Sequence, residues 1–213
     1  MSILNGSRSR IDVSPAEFLK ALKAGEHGCV FYRSREEMHD ILFAFVKSGL
    51  EDNWGVVYAI ASEEIEEERD AMQIYEIDTE NYEANGSLLL LKGKDLYQDP
   101  KNPDLENWKG STKRISESFI AKGKKGVRLA ADLSSYFLSR GLRKQWFDLE
   151  YAIERKLSLP LSVLCAYDAY MPKLWDTDIL KYYVRINGEN KDFIDAHSFA
   201  IFVAKGKSVI FRI

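Results

Sequence analysis

A chain of 213 residues, 46% hydrophobic and 30% charged, has the balance of one sizeable globular domain that buries about 70% of its unfolded surface. Its net charge of −3 excludes a general electrostatic attraction to nucleic acid, and no apolar run approaches the roughly 20 residues that span a bilayer. Two cysteines, Cys29 and Cys165, both lie in apolar runs, so no disulfide framework is expected and a reducing cytoplasm is the simpler setting.

Residues 1–13 are polar, lack the apolar centre of a secretory signal, and read as a flexible N-terminal arm ahead of a single domain over 14–213. Ser14-Pro15-Ala16-Glu17 is a capping box with proline at the first helical position. It predicts a short helix that Gly25 ends. Residues 28–61 organise the rest. Cys29, Val30, Phe31 and Tyr32 form an apolar strand, and Ser34 opens a second capping box with Glu37. Met38, Ile41, Leu42, Phe45 and Val46 then recur at helical spacing, and residues 56–60 form a second apolar strand. This is a βαβ unit, whose crossover is right-handed. In such sheets ligands bind at the carboxyl ends of the strands, here at the turn Tyr32-Arg33-Ser34.

The acidic run that follows, residues 62–72, reads as a helix with a solvated charged face. Residues 78–85 predict a short helix stopped at Asn85-Gly86, and Leu88 to Leu91 a third strand, apolar on both faces. A polar loop over 92–104 precedes a helix over 105–122. The fourth strand, 126–132, delivers Asp132 at its carboxyl end. A helix over 142–157 carries Trp146, Leu149, Ile153 and Leu157 on an apolar face. The fifth strand, 161–167, delivers Asp168. Residues 174–186 read as helical, and the chain closes with a β-hairpin around Lys205-Gly206-Lys207.

A phosphate-binding loop needs glycines and a lysine between a strand and a helix. The position exists, but Tyr32-Arg33-Ser34-Arg35-Glu36 has neither. Arg33 and Arg35 supply positive charge without the backbone nest. Gly206-Lys207-Ser208 lacks the upstream glycine and sits in a hairpin turn. Metal chemistry has little support, since no CxxC or HExxH occurs and His27-x-Cys29 is too tight for a usual structural zinc pair, although a strand would point both to one face. Nucleophilic catalysis by Cys165 would need a histidine partner, for which His27, His39 and His197 are the candidates. Asp132 and Asp168, both at strand ends, form a better polar pair.

The order GEHGCVFYRSREEM, VVYAIASEE and LCAYD resembles the MEDS domain, the sensory domain of methanogens and methylotrophs. The resemblance rests on His27 ahead of a strand ending in Phe31-Tyr32. It also rests on a glutamate in the helix before the last core strand, here Glu150, on Cys165-Ala166-Tyr167-Asp168, and on His197 near the closing hairpin. After the fourth strand the chain departs from the family, with Ala131-Asp132-Leu133-Ser134 in place of a Gly-Glu-Met-like turn. The frame is also similar to the RecA- and KaiC-like ATPases, with Asp132 at the place of their metal-associated aspartate.

These resemblances imply a three-layer α/β fold with a mainly parallel sheet, in the order third strand, second, fourth, fifth, first, then the hairpin. They imply a non-catalytic small-molecule sensor or signal-transduction module without cofactor, metal, direct nucleic-acid contact or membrane contact. Its output would pass through a separate signalling or regulatory protein, and a homo-oligomer stays open. The alternative is a degenerate KaiC-like nucleotide-binding module; a structural partner subunit and an enzyme using Cys165 are further readings. The implied ligand site is Phe31, Tyr32, Arg33, Asp132, Glu150, Cys165, Tyr167, Asp168, His27 and His197. Tyr32 and Tyr167 are expected as the walls of one crevice and Asp132 and Asp168 as its polar groups, with His27 at the opposite end of the sheet.

Overall fold

The computed structural model describes residues 9–61, 65–96, 105–132, 134, 137, 140–142, 145–146, 150, 160–169 and 197–213. The strands are β1 (Ser9–Ile11), β2 (His27–Tyr32), β3 (Gly55–Ile60), β4 (Leu88–Lys92), β5 (Val127–Ala131), β6 (Leu161–Asp168), β7 (Phe199–Ala204) and β8 (Lys207–Arg212). The helices are α1 (Pro15–Lys20), α2 (Arg35–Glu51), α3 (Ile65–Ile74), α4 (Thr79–Ala84) and α5 (Leu105–Ala121), with a 3-10 turn at Gly93–Leu96.

All eight strands join one sheet in the order β1-β8-β7-β2-β6-β5-β3-β4. From β4 to β7 every neighbouring pair is parallel, and β8 and β1 close that side antiparallel. The predicted order of the five core strands and the hairpin is the order observed. β6 lies inside the sheet between β2 and β5, and it is buried from Leu161 to Tyr167.

Alternation along the strands divides the apolar residues between two cores. Val30, Tyr32, Tyr58, Leu90, Leu164 and Ala166 pack with α1 and α2 on one face. Cys29, Phe31, Ala59, Leu129, Cys165 and Tyr167 pack with Trp108 and Phe119 of α5 and with Trp146 on the other. The result is three layers.

Gly28 is where the backbone must be bare. A Cβ there would lie 2.0 Å from the Phe199 ring of β7, which stacks edge-on against Phe18 of α1 at 4.9 Å between centroids. Arg128 is fully buried in β5. Its guanidinium donates to Phe45 O at 3.1 Å, Ser48 Oγ at 2.7 Å and Lys20 O at 3.4 Å, and it lies over the Phe45 and Trp54 rings. Burial lowers its pKa to about 10. One strand side chain thereby ties together the ends of α1 and α2.

Several expectations are corrected. The arm over 1–13 is not loose throughout, because Ser9–Ile11 adds an edge strand to β8. β4 is the opposite edge; as expected it packs apolar side chains on both faces, Leu88 and Leu90 on one and Leu89 and Leu91 on the other, although the latter two are only half-buried. The acidic helix is not simply a solvated face: Glu68 is 3% exposed. Ser14 and Glu17 form the full capping box, but only half of the second one forms. Ser34 Oγ accepts from Glu37 N at 3.2 Å, whereas the Glu37 carboxylate accepts from Arg33 N at 2.9 Å and from Lys205 N at 2.7 Å. Trp146 and Glu150 are helical; Leu149, Ile153, Leu157 and the segment 174–186 lie outside the described residues.

Candidate functional site

The carboxyl ends of β2, β5 and β6 meet at a crevice of about 280 Å³, lined by Tyr32, Arg33, Arg35, Glu68, Asp132 and Asp168 among others. Strand register explains the convergence. Tyr32 is paired with Asp168 across β2 and β6, and both share a face with Asp132, two residues beyond Ala130. Tyr32 OH donates to Asp132 Oδ1 at 3.3 Å. The main chain is fastened at the same level: Ala169 N donates to Tyr32 O at 2.7 Å and Asp132 N to Ala59 O at 3.0 Å.

The crevice wall contains a charge network that sequence reading missed. Arg35 Nη2 donates to Glu68 Oε1 at 2.6 Å and Tyr58 OH to Glu68 Oε2 at 3.0 Å. His39 Nε2 stands 3.2 Å from the same Oε2. Burial alone would raise the Glu68 pKa, but His39 and Arg35 outweigh it and hold the carboxyl below its usual range. The signal for Glu68 was weak, because it sits in a run of five glutamates at 63–68, interrupted only by Ile65.

Tyr167 does not line this crevice, contrary to expectation. As the neighbour of Asp168 it points to the other face, where Phe31 lies 5.6 Å away between ring centroids. Six of the ten implied site residues are therefore elsewhere. Phe31, His27, Cys165, Tyr167, Glu150 and His197 are all buried on the opposite face. His27 begins β2 at the far end of the sheet, as expected, yet its imidazole is part of a polar cluster. Tyr167 OH donates to Glu150 Oε1 at 2.5 Å and Trp146 Nε1 to the same oxygen at 3.2 Å. Glu150 Oε2 faces His27 Nε2 at 3.5 Å and His197 Nε2 at 3.6 Å. Cys165 Sγ is 3.5 Å from His27 Nε2, and the two histidine rings are 4.2 Å apart.

Burial shapes the titration of this cluster. It lowers the His27 pKa to about 3, assisted by His197, so the imidazole is neutral. It pushes the Cys165 thiol up, reinforced by Glu150, which makes an activated thiolate nucleophile a poor description of this residue. For Glu150, burial pushes upward, but the neighbouring His197, His27 and Tyr167 together hold the carboxyl below its ordinary value.

Among the described residues no helix is long and apolar enough to cross a membrane. No curated protein matches the sequence. Among solved structures, a KaiC-like protein from Pyrococcus horikoshii OT3 is 16% identical, with a TM-score of 0.55 over 84% of this chain and 71% of that one. A second Pyrococcus horikoshii OT3 protein is 9% identical, with a TM-score of 0.54 over 93% and 91%. The flagellar accessory protein FlaH from Methanocaldococcus jannaschii is 13% identical, with a TM-score of 0.52 over 93% and 83%. At these identities the likeness concerns the fold, which is KaiC-like. The family profile of the methanogen/methylotroph, DcmR sensory domain matches residues 26–174, and the chain belongs to that family, MEDS.

Proposed function

We propose that this chain is a non-catalytic sensor module that takes up a small molecule in the crevice at the ends of β2, β5 and β6 and acts through a separate partner protein. The observation that carries this is the convergence of Tyr32, Asp132 and Asp168 on one crevice of about 280 Å³. That size suits a ligand smaller than a typical drug molecule, whose pockets start at about 300 Å³. Arg35 is already paired with Glu67 and Glu68, so the crevice offers hydroxyl and carboxylate groups to a polar or cationic ligand rather than a cradle to a phosphate chain.

The turn after β2 supports the same reading. Relatives with a phosphate loop use free backbone N–H groups and a lysine there. In this chain the Glu37 N–H is taken by Ser34 Oγ and the Arg33 N–H by the Glu37 carboxylate. Phosphoryl transfer depends on positioning and charge stabilisation, and this turn brings two arginines, of which Arg35 is paired with Glu67 and Glu68, without a backbone nest or a lysine to position a phosphate.

The test is mass spectrometry of small molecules released from protein purified under native conditions, run beside ATP binding at physiological magnesium. A recurrent released compound, rebinding to wild type and more weakly to Asp168→Ala, is the expected result. Tight ATP binding, or ATP turnover near about one per second that Asp132→Ala abolishes, would replace the sensor by a nucleotide-dependent module.

A further inference from the structure

The cluster on the other face of the sheet brings together a nitrogen, a sulfur and an oxygen donor from three separate parts of the chain. We propose that His27 Nε2, Cys165 Sγ and a Glu150 carboxylate oxygen form a buried binding site for a divalent transition metal of the zinc type. It is a separate site from the crevice and does not depend on the sensor reading.

Two of the three donor–donor edges, those that meet at His27 Nε2, have the length found in a coordination shell. All three donor atoms lie within 4.8 Å of one another, and His27 Nε2 is 3.5 Å from both Cys165 Sγ and Glu150 Oε2. Bonds of about 2.0–2.3 Å from a tetrahedral zinc ion to nitrogen, oxygen and sulfur place neighbouring donors about 3.3–3.6 Å apart. The 3.5 Å nitrogen–oxygen separation is too long for a good hydrogen bond and the 3.5 Å sulfur–nitrogen contact is at most a weak one, yet both match the edges of such a tetrahedron.

Glu150 is prepared for the role. Tyr167 and Trp146 both donate to Oε1, which fixes the carboxylate and aims Oε2 at the histidines. Oε2 is fully buried and accepts no hydrogen bond. A buried carboxylate oxygen without a donor is costly. A dication removes that cost, because one thiolate and one carboxylate balance its two charges. On binding, the sulfur–metal bond forms as the Cys165 proton leaves to solvent. A sulfur–nitrogen–oxygen donor set favours zinc or cobalt over magnesium or calcium, which take oxygen ligands. Three protein donors leave one position of a four-coordinate ion to an outside ligand.

The full chain, purified without chelator, would be titrated with cobalt(II) and then with zinc against a chromophoric chelator. One ion per chain is expected, with a thiolate-to-cobalt charge-transfer band and ligand-field bands of tetrahedral intensity. Cys165→Ser must abolish the charge-transfer band and weaken zinc binding by more than the roughly 10–100-fold that loss of an outer partner costs; Tyr167→Phe must fall inside that range. Cys29→Ser, at the neighbouring buried thiol in register with Cys165, must keep both band and affinity. His27→Gln provides an arm that does not touch the sulfur: affinity falls while the band survives. Folded wild type that takes up neither ion, a band unchanged in Cys165→Ser, or an unchanged affinity in His27→Gln would overturn the site. None of these results bears on the crevice ligand.

Discussion

Tyr167 and Asp168 are adjacent at the end of β6, yet they serve opposite faces of the sheet. Tyr167 OH donates to the buried Glu150 at 2.5 Å, while Asp168 lines the open crevice with Tyr32 and Asp132. One strand end thus supplies two chemically different sites, separated by the thickness of a single backbone.

The crevice groups should be separable from the fold. Asp168→Ala and Tyr32→Phe each remove a polar contact from a preformed site, and each is expected to weaken binding of the released small molecule by about 1–3 kcal/mol. Circular dichroism and the unfolding midpoint should stay near wild type for Asp168→Ala, since Asp168 is only partly buried. Titration calorimetry with the compound identified by mass spectrometry is the measurement.

Glu68 makes the crevice wall acid-sensitive. Its carboxyl is held below the ordinary value of 4.5 by His39 and Arg35 against the opposing effect of burial, so the unfolded chain takes up this proton at higher pH than the folded one. The stabilisation is present above about pH 4.5 and declines as pH falls from there through the lower folded value. Glu68→Gln should reduce stability at neutral pH and lose less of it on acidification. Urea midpoints of both proteins at pH 7 and at successive lower pH values give the comparison.

Gly28→Ala places a methyl group 2.0 Å from the Phe199 ring. Overpacking of this kind costs about 1–3 kcal/mol, and β2 is central enough for the whole sheet to register it. Combining it with Phe199→Leu should recover part of the loss, because the smaller side chain opens the space above Gly28. Equal destabilisation in the single and double variants would show that the ring is not the obstacle.

Arg128 separates packing from charge. Of its two main-chain acceptors, Phe45 O also receives the Ser48 hydroxyl at 3.2 Å, so an apolar replacement that keeps the stem does not strand it, and Lys20 O loses only the longer contact of 3.4 Å. Arg128→Met is expected within about 1 kcal/mol of wild type, as for buried charges exchanged for apolar groups of similar volume. Arg128→Ala opens a cavity between α1, α2 and β5 and should cost about 2–5 kcal/mol. Chemical denaturation of both variants checks the pair.

The five core strands were legible because each is an apolar run bounded by turn or helix-start signals, and their order followed from the RecA-like frame. What the runs did not convey was the face each residue serves. Alternation already excludes Phe31 and Tyr32, or Tyr167 and Asp168, from a common crevice, and grouping them as one site overrode that constraint. Arg128 and Glu68 were missed for a different reason. A charged residue becomes a core residue only when partners distant in sequence surround it, and Ser48 and Tyr58 carry no mark of that role. Ser9–Ile11 escaped notice because three residues are too few for a period to show. Glu150 and the two histidines were singled out by resemblance, but their meeting depends on β2, β6 and the approach to β7 lying side by side.

Glu37 has a mechanical consequence. One oxygen of its carboxylate holds the Arg33 N–H beside the crevice, and the other holds the Lys205 N–H in the hairpin turn, 168 positions away. A ligand that draws Arg33 toward itself loads the same side chain that anchors the hairpin. The tip of β7 and β8 is thereby tied to the turn that lines the crevice through two hydrogen bonds and one carboxylate.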